Sequence, residues 1–290
     1  MVAGDEVVGE GWHERAGGPH AEILALEAAG ERARGATLYV TLEPCAHYGR
    51  TPPCVDAIVA AGVACIVVGA PDPNPKTDGQ GFARLREAGM EVELLDGEPA
   101  RRARRQNEAW RTWIATGRPF VTYKAAVTLD GRVVVPASRW VTGEESRLRV
   151  HELRAASDAV AVGMGTVRAD SPRLDARDME TDRQPRRLAF GTGPLTEGSE
   201  LELVSGPLDE ALERLAAEGV QSLLLEGGPT LASSFLREGL VDKLLLFVAP
   251  KLAGSGPRWV DELGAALSLT GVEAERVGDD VLLSGYIREP

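Results

Sequence analysis

Aromatic residues, cysteines and long apolar runs are all scarce in this chain. Only 5% of its 290 residues are Phe, Trp or Tyr, so Val, Leu, Ala and Ile must build the cores. The cysteine count of three is odd and low. It argues against a disulfide scaffold and for a reducing cytoplasm, where paired cysteines bind metal or do chemistry. No run approaches the roughly 18 apolar residues of a membrane span. The opening MVAGDEVVGEGWH lacks the basic stretch and apolar core of a signal peptide. Positive charge is short as well: 32 basic against 44 acidic residues leave a net charge of −12. That balance excludes a general footprint for nucleic acid or an anionic membrane. A small anionic substrate still fits, because a few arginines can hold one phosphate.

What is present is ordinary for a globular protein, with 43% apolar and 26% charged residues. The length predicts about two domains. Residues 6–13 and 36–42 read as strands, the second stopped by Glu43-Pro44. Residues 20–34 carry apolar residues at helical spacing, with Gly35 as the C-cap. Residues 53–61 read as a helix that opens at a proline and closes at Gly62. The apolar run 63–69 predicts a buried parallel strand. PDPNPKTDGQG reads as a loop, 82–88 as a helix and 90–95 as an alternating strand. Such alternation predicts an α/β layered domain. Residues 98–116 read as one helix, with RRARR as a solvated face.

Gly117-Arg118-Pro119 breaks the pattern and sets the expected boundary, with domains at 1–116 and 117–290. The second opens with the strand FVTYKAAVT and a turn at Asp130-Gly131. VVV and RWVTG follow, then a helix over 144–156. DAVAVGMGTVRADSP reads as strand, glycine turn and short helix. Weaker strands at 186–190 and 201–204 precede a helix over 208–218. SLLLEGGPTLASSFLREG repeats the strand, glycine turn and helix. KLLLFVAPKL and DDVLLSGYI complete the strand count and predict a mixed sheet.

His20-Ala21-Glu22 and Glu43-Pro44-Cys45, followed by Cys54, carry the strongest chemical signal. One imidazole and two thiolates fill three positions of a tetrahedral zinc site and leave the fourth for water, whose pKa zinc lowers. Glu22, two residues from a ligand, is placed to carry a proton. This is the arrangement of a hydrolytic zinc deaminase. The spacing departs from P-C-x-x-C, because Tyr48 stands where the second cysteine would be. A closed structural zinc site, with His47 or Cys65 as a fourth ligand, is the alternative. Cys65 lies in an apolar run and reads as core.

The stretch TLEPCAHYGRTPPC, with GGPHAE before it and DPNP after it, closely resembles the deaminase domain of the bifunctional riboflavin-biosynthesis deaminase–reductases. KAAVTLDG, Ser138 with WVTG, HELR, GMGTVRAD and EGGPTL resemble the reductase domain of the same family. The resemblance implies a cytidine-deaminase-like α/β/α domain followed by a dihydrofolate-reductase-like α/β domain. It implies zinc on His20, Cys45 and Cys54, with Glu22 as proton shuttle and His47 and Arg50 lining the substrate pocket. In the second domain it implies NADPH contacts from Trp140, Thr166, Asp170 and the turn from Gly228. Ser138, Arg154, Leu174, Arg177 and Glu226 would hold the ribosylamino substrate and its phosphate. Glycine turns such as EGGPT can admit a pyrophosphate at a helix N-terminus, and no Rossmann fingerprint is present.

The implied activity is hydrolytic deamination of 2,5-diamino-6-(5-phosphoribosylamino)pyrimidin-4-one. NADPH-dependent reduction of the ribosyl side chain to ribityl follows, in a cytoplasmic homo-oligomer. Two departures stand out. The family places a helix, a Pro-Asn-Pro turn and a complete strand before a segment like Gly9 to His13, whereas Met1 falls inside that strand. This implies either a start further upstream or an impaired deaminase, and keeps a reductase-only reading as the alternative. The stretch from Arg186 to Leu223 is short for the family, which implies a different hold on the cofactor's adenosine end.

Overall fold

Met1–Ala115 and Thr116–Glu289 form two separate units. The computed structural model describes every residue except 16, 76, 78, 178, 180, 182 and 196.

In the first unit, β1 (Val2–Ala3) and β2 (Glu6–Val7) form a short hairpin. There follow α1 (Ala21–Ala29), β3 (Thr37–Val40), α2 (Cys54–Ala61), β4 (Cys65–Val68), α3 (Gln80–Glu87), β5 (Glu91–Leu94), α4 (Gly97–Gln106) and α5 (Glu108–Thr116). The sheet runs β2-β1-β3-β4-β5. The last three strands are parallel, and β1 is antiparallel to both of its neighbours. A central parallel strand must be apolar on both faces, and Ile66, Val67 and Val68 of β4 are all buried. Leu38, Ile58 and Leu85 complete that core.

Local expectations change here for identifiable reasons. The strand expected over 6–13 stops at Val7. Beyond it the backbone lies on α1: a Cβ at Gly9 would sit 2.3 Å from the Ala25 carbonyl oxygen, and one at Gly11 2.5 Å from that of Ala21. Packing on a helix replaces a ladder. The helix expected over 20–34 ends at Ala29, where Gly30 takes φ 55° and a 3-10 turn, Gly30–Ala33, follows. The helix expected over 98–116 is two helices parted at Asn107. Cys65 is only partly buried, because it opens β4 at the strand's edge.

The second unit contains β6 (Phe120–Thr128), α6 (Glu144–Ala156), β7 (Ala159–Gly163), α7 (Met164–Asp170), β8 (Arg186–Phe190) and β9 (Glu202–Val204). It continues with α8 (Leu208–Ala217), β10 (Ser222–Leu225), α9 (Pro229–Arg237), β11 (Lys243–Ala249), β12 (Thr270–Val277) and β13 (Asp280–Tyr286). The sheet order is β12-β13-β11-β6-β10-β7-β8-β9. Strands β11 to β9 of that order are parallel, and the β12–β13 hairpin adds antiparallel pairing, so the sheet is mixed. Tyr123, Leu223, Leu225 and Phe235 anchor one core, while Val150, Leu245, Phe247 and Leu282 form another that includes α6. Strand β12 had no sequence signal. Seven of its eight residues are exposed, so it has no apolar face to alternate with a polar one. The RWVTG run is loop, and before it the isolated bridges Arg132–Arg258 and Val135–Ser138 form. The parallel strands bring the carboxyl ends of β7 and β10 together, where ligands bind in such sheets.

Candidate active sites

Two helix starts and one loop build the metal candidate. His20 is the N-cap of α1, and Cys54 is the first residue of α2. Cys45 lies in the loop after β3. Their ligand atoms all lie within 4.8 Å of one another. His20 Nδ1 is 3.2 Å from Cys54 Sγ and 3.5 Å from Cys45 Sγ. Bond lengths to tetrahedral zinc of about 2.0 Å for nitrogen and 2.3 Å for sulfur put neighbouring ligand atoms about 3.5 Å apart, so this donor set fits. The backbone N–H of Cys54 donates to Cys45 Sγ at 3.3 Å. The thiol of Cys54 holds the Cys45 thiol down at about 4, and the adjacent His20 adds to this. In return, hydrogen bonding to Cys45 and burial push Cys54 up. Cys45 also raises His20.

Thr51 Oγ1 stands 3.3 Å from His20 Nε2, which leaves Nδ1 for the ligand position. Orienting a ligand histidine through its second nitrogen is a recurring outer-shell role. Thr51 lies within TLEPCAHYGRTPPC, where its residue type alone gives no sign of this role. Glu22 lies in the first turn of α1, and burial raises its carboxyl pKa. His47 is partly buried, with Nδ1 3.3 Å from Thr77 Oγ1. Arg50 is exposed, its stem resting near Gly17. Cys65 is outside the ligand cluster.

In the second unit a cavity of about 1370 Å³ opens where the strands end. Trp140, Arg154, Thr166, Asp170, Leu174, Arg177, Glu226 and Gly228 all line it. Ser138 does not; its hydroxyl instead donates to the Trp140 carbonyl at 2.8 Å. Trp140 is 46% exposed, with the guanidinium groups of Arg139 and Arg147 5.0 and 5.1 Å from its ring centre. Gly228 caps α9, with Pro229 at its first position. A Cβ at Gly228 would sit 3.4 Å from Thr166 Oγ1, so α7 and α9 approach closely here.

Glu226 is the electrostatic centre of the cavity. Arg154 forks onto it, with Nε at 2.6 Å and Nη2 at 3.0 Å, and Lys124 Nζ donates to it at 3.1 Å. Burial opposes its charge, but Lys124 and Arg154 more than offset that and hold the carboxyl at about 2. Arg154 Nη1 also donates to the Asp175 carbonyl at 3.2 Å. Arg177 pairs with the Asp175 carboxylate at 2.5 Å, and Arg173 does so at 3.3 Å. Buried Leu174 between them takes φ 55°, a left-handed conformation costly for a branched side chain. Lys124 was not singled out from sequence. The signal was there: a lysine inside an otherwise apolar strand requires a partner.

Comparison with known proteins bears on both units. Residues 1–70 match the family model of the cytidine and deoxycytidylate deaminase zinc-binding region, and residues 119–283 that of the RibD C-terminal domain. Riboflavin biosynthesis protein RibD of Aquifex aeolicus is 40% identical, covering 98% of this chain and 89% of its own length. The Escherichia coli protein of that name is 37% identical, covering 98% and 90%. Among solved structures, Acinetobacter baumannii RibD superposes with a TM-score of 0.86 at 36% identity, covering 98% of this chain and 89% of that one. The diaminohydroxyphosphoribosylaminopyrimidine deaminase/5-amino-6-(5-phosphoribosylamino)uracil reductase of Thermotoga maritima gives 0.84 at 32% identity, covering 98% and 90%. With relatives at this identity along nearly the whole chain and a matching family model for each unit, the chain belongs to the RibD family of bifunctional deaminase–reductases of riboflavin biosynthesis.

Proposed function

We propose that residues 1–116 deaminate 2,5-diamino-6-(5-phosphoribosylamino)pyrimidin-4-one and that residues 117–290 reduce the ribosyl side chain of the product. The observation that carries this reading is the closure of His20, Cys45 and Cys54 into one donor cluster, with partly buried Glu22 two residues from the histidine. His20 Nδ1 and the two sulfurs would hold zinc, which when bound activates water for attack on the pyrimidine. Glu22 would accept a proton on its carboxylate and return it to the leaving amine. Burial strengthens the carboxylate as a base, which suits this task near neutral pH. Thr51 keeps the His20 ring in its ligand orientation. His47 and Arg50 contribute to the substrate pocket.

In the reductase, NADPH supplies the hydride. Trp140, Thr166, Asp170 and the Gly228 turn bind the cofactor, with α9 offering N–H groups to its negative charge. The ion cluster of Glu226, Lys124 and Arg154 and the carbonyl of Asp175 offer hydrogen bonds to the sugar. Arg177 supplies positive charge for the phosphate, and Leu174 shapes the wall beside it. Ser138 supports substrate binding by shaping the Trp140 turn. The substrate is a small phosphorylated pyrimidine and not nucleic acid, in keeping with a net charge of −12. Among the described residues no helix is long and apolar enough to cross a membrane. The enzyme works in the cytoplasm as a homo-oligomer.

Mass spectrometry of products tests it. Purified protein with the diaminopyrimidinone phosphate, zinc and NADPH should yield a product both deaminated and reduced. Unchanged substrate, together with reduction of a pre-deaminated intermediate, would reject the deaminase half and leave a reductase.

A further inference from the structure

Glu43 sits two residues before Cys45, yet it is not one of the clustered ligands. It is only 2% exposed, and a buried carboxylate is costly unless its oxygens are satisfied. Four backbone N–H groups satisfy it. Gly81 and Phe82 donate to Oε1 at 2.9 and 3.3 Å, and Gly79 and Asp72 donate to Oε2 at 3.2 and 3.3 Å. Asp72 stands at the start of the loop before α3, and the other three stand at its end and in the first helical turn. The first N–H groups of a helix have no partner within it. One carboxylate therefore caps α3 and clamps both ends of the loop to the segment that carries Cys45. Gly81 is the other half of this contact. A Cβ there would lie 2.3 Å from the Pro44 carbonyl oxygen and 2.9 Å from Glu43 Oε1.

Between the clamped ends lies Thr77, fully buried, with Oγ1 3.3 Å from His47 Nδ1. Asp72 accepts from the Asn74 N–H at 2.8 Å and is hydrogen-bonded by the Thr77 side chain. A threonine hydroxyl has one proton to give. If Asp72 receives it, the hydroxyl accepts from His47 Nδ1–H, and the ring presents Nε2 as its remaining polar atom.

We propose that Glu43 is a positioning residue for substrate binding in the first unit. Without touching substrate or moving a proton, it holds Asp72, Gly79, Gly81 and Phe82 so that Thr77 between them fixes the imidazole of His47. The proposal rests on the deaminase reading, in which His47 lines the substrate pocket.

The test uses the full chain, unsubstituted and as Glu43→Gln, Thr77→Val, their double variant and Gly81→Ala. Steady-state deamination is measured with zinc content. Reduction of the pre-deaminated intermediate controls for an intact chain. In Glu43→Gln the amide –NH2 faces N–H donors and breaks part of the clamp. The expected result is a KM raised about tenfold with kcat within about twofold, the signature of lost substrate binding, and one zinc per chain retained. Thr77→Val should reproduce that rise, Gly81→Ala should move KM the same way, and the double variant should go no further than the larger single effect, because both act through one loop. An unchanged KM, additive effects in the double variant, or zinc and kcat lost together would each overturn the proposal. If the unsubstituted chain reduces the intermediate but does not deaminate, the deaminase reading fails and the proposal with it. Normal deamination with unmoved KM in the variants removes the proposal alone.

Discussion

The donors of the metal cluster lie at most 34 positions apart in sequence, whereas Lys124 and Glu226 are separated by 102 and Arg154 and Glu226 by 72. The first site needs two helix starts and a loop to come together. The second exists only once β6 and β10 have paired side by side in the larger sheet. Their electrostatics differ too. The first gathers two thiols and an imidazole that share protons until a cation draws them together. The second sets two cations against one buried carboxylate and so keeps an excess positive charge. A short-range site can therefore be lost by removing its metal. A long-range site is lost by unbalancing its charges.

Metal removal gives the largest separation of the two halves. Chelation, or Cys54→Ala, should lower deamination by more than about 10³-fold, since zinc supplies the activated water. Reduction of the pre-deaminated intermediate should stay within about twofold. Parallel loss of both activities would show that the halves are not independent. Next comes Glu22→Gln, expected to cost about 10²–10⁴-fold in deamination with zinc content unchanged. Retained turnover would reject the proton-carrying role.

Glu226→Gln probes the other kind of site. It removes the carboxylate that Lys124 and Arg154 share, and breaking a buried pair in this way costs about 3–5 kcal/mol. Denaturant titration should show that loss together with impaired reduction, while the deaminase keeps its zinc. The same residue sets an acid limit. Its carboxyl falls from an ordinary value of 4.5 to about 2 in the fold. Because the folded value is the lower one, its contribution is complete above about pH 4.5 and fades as pH falls toward 2. Stability measured from pH 5 down to pH 2 should decline less steeply in Glu226→Gln; an identical slope would contradict the assignment. The smallest effect is expected at Asp170, an exposed residue of the cavity wall. Asp170→Ala should weaken NADPH binding about tenfold, the loss of one or two hydrogen bonds, as read by fluorescence titration. Unchanged affinity would remove it from the cofactor site.

The legibility of each site follows the same contrast. His20, Glu22 and Cys54 stand at helix starts and Cys45 in a short Glu-Pro-Cys motif, so residue type and spacing suffice to group them. Thr51 lies within TLEPCAHYGRTPPC, but nothing in its type announces a bond to His20 Nε2. Glu43 was legible as part of a motif and not as a clamp, because its four donors lie 29 to 39 residues away. In the second unit the alternation of strands and helices was readable, and eight of the named site residues line one cavity. That Arg154 forks onto Glu226 was not readable, nor that Ser138 turns to the Trp140 backbone. Strand β12 escaped because exposure on both faces erases the period-two signal. The strand expected over 6–13 stops short at Val7 because Gly9 and Gly11 serve a helix contact that periodicity does not register.

By itself the sequence determined the donor types, the local helix starts that present them, the apolar runs that must become buried strands, and the acidic balance that disfavours nucleic acid. These depend on neighbours a few positions apart, where the rules of capping, periodicity and charge apply directly. The tertiary structure alone decided which carboxylate meets which cation, which loop is clamped to which ligand segment, and where the cavity lies. Such contacts depend on sheet order and close approach between distant segments. No residue's own type encodes them until the chain has closed.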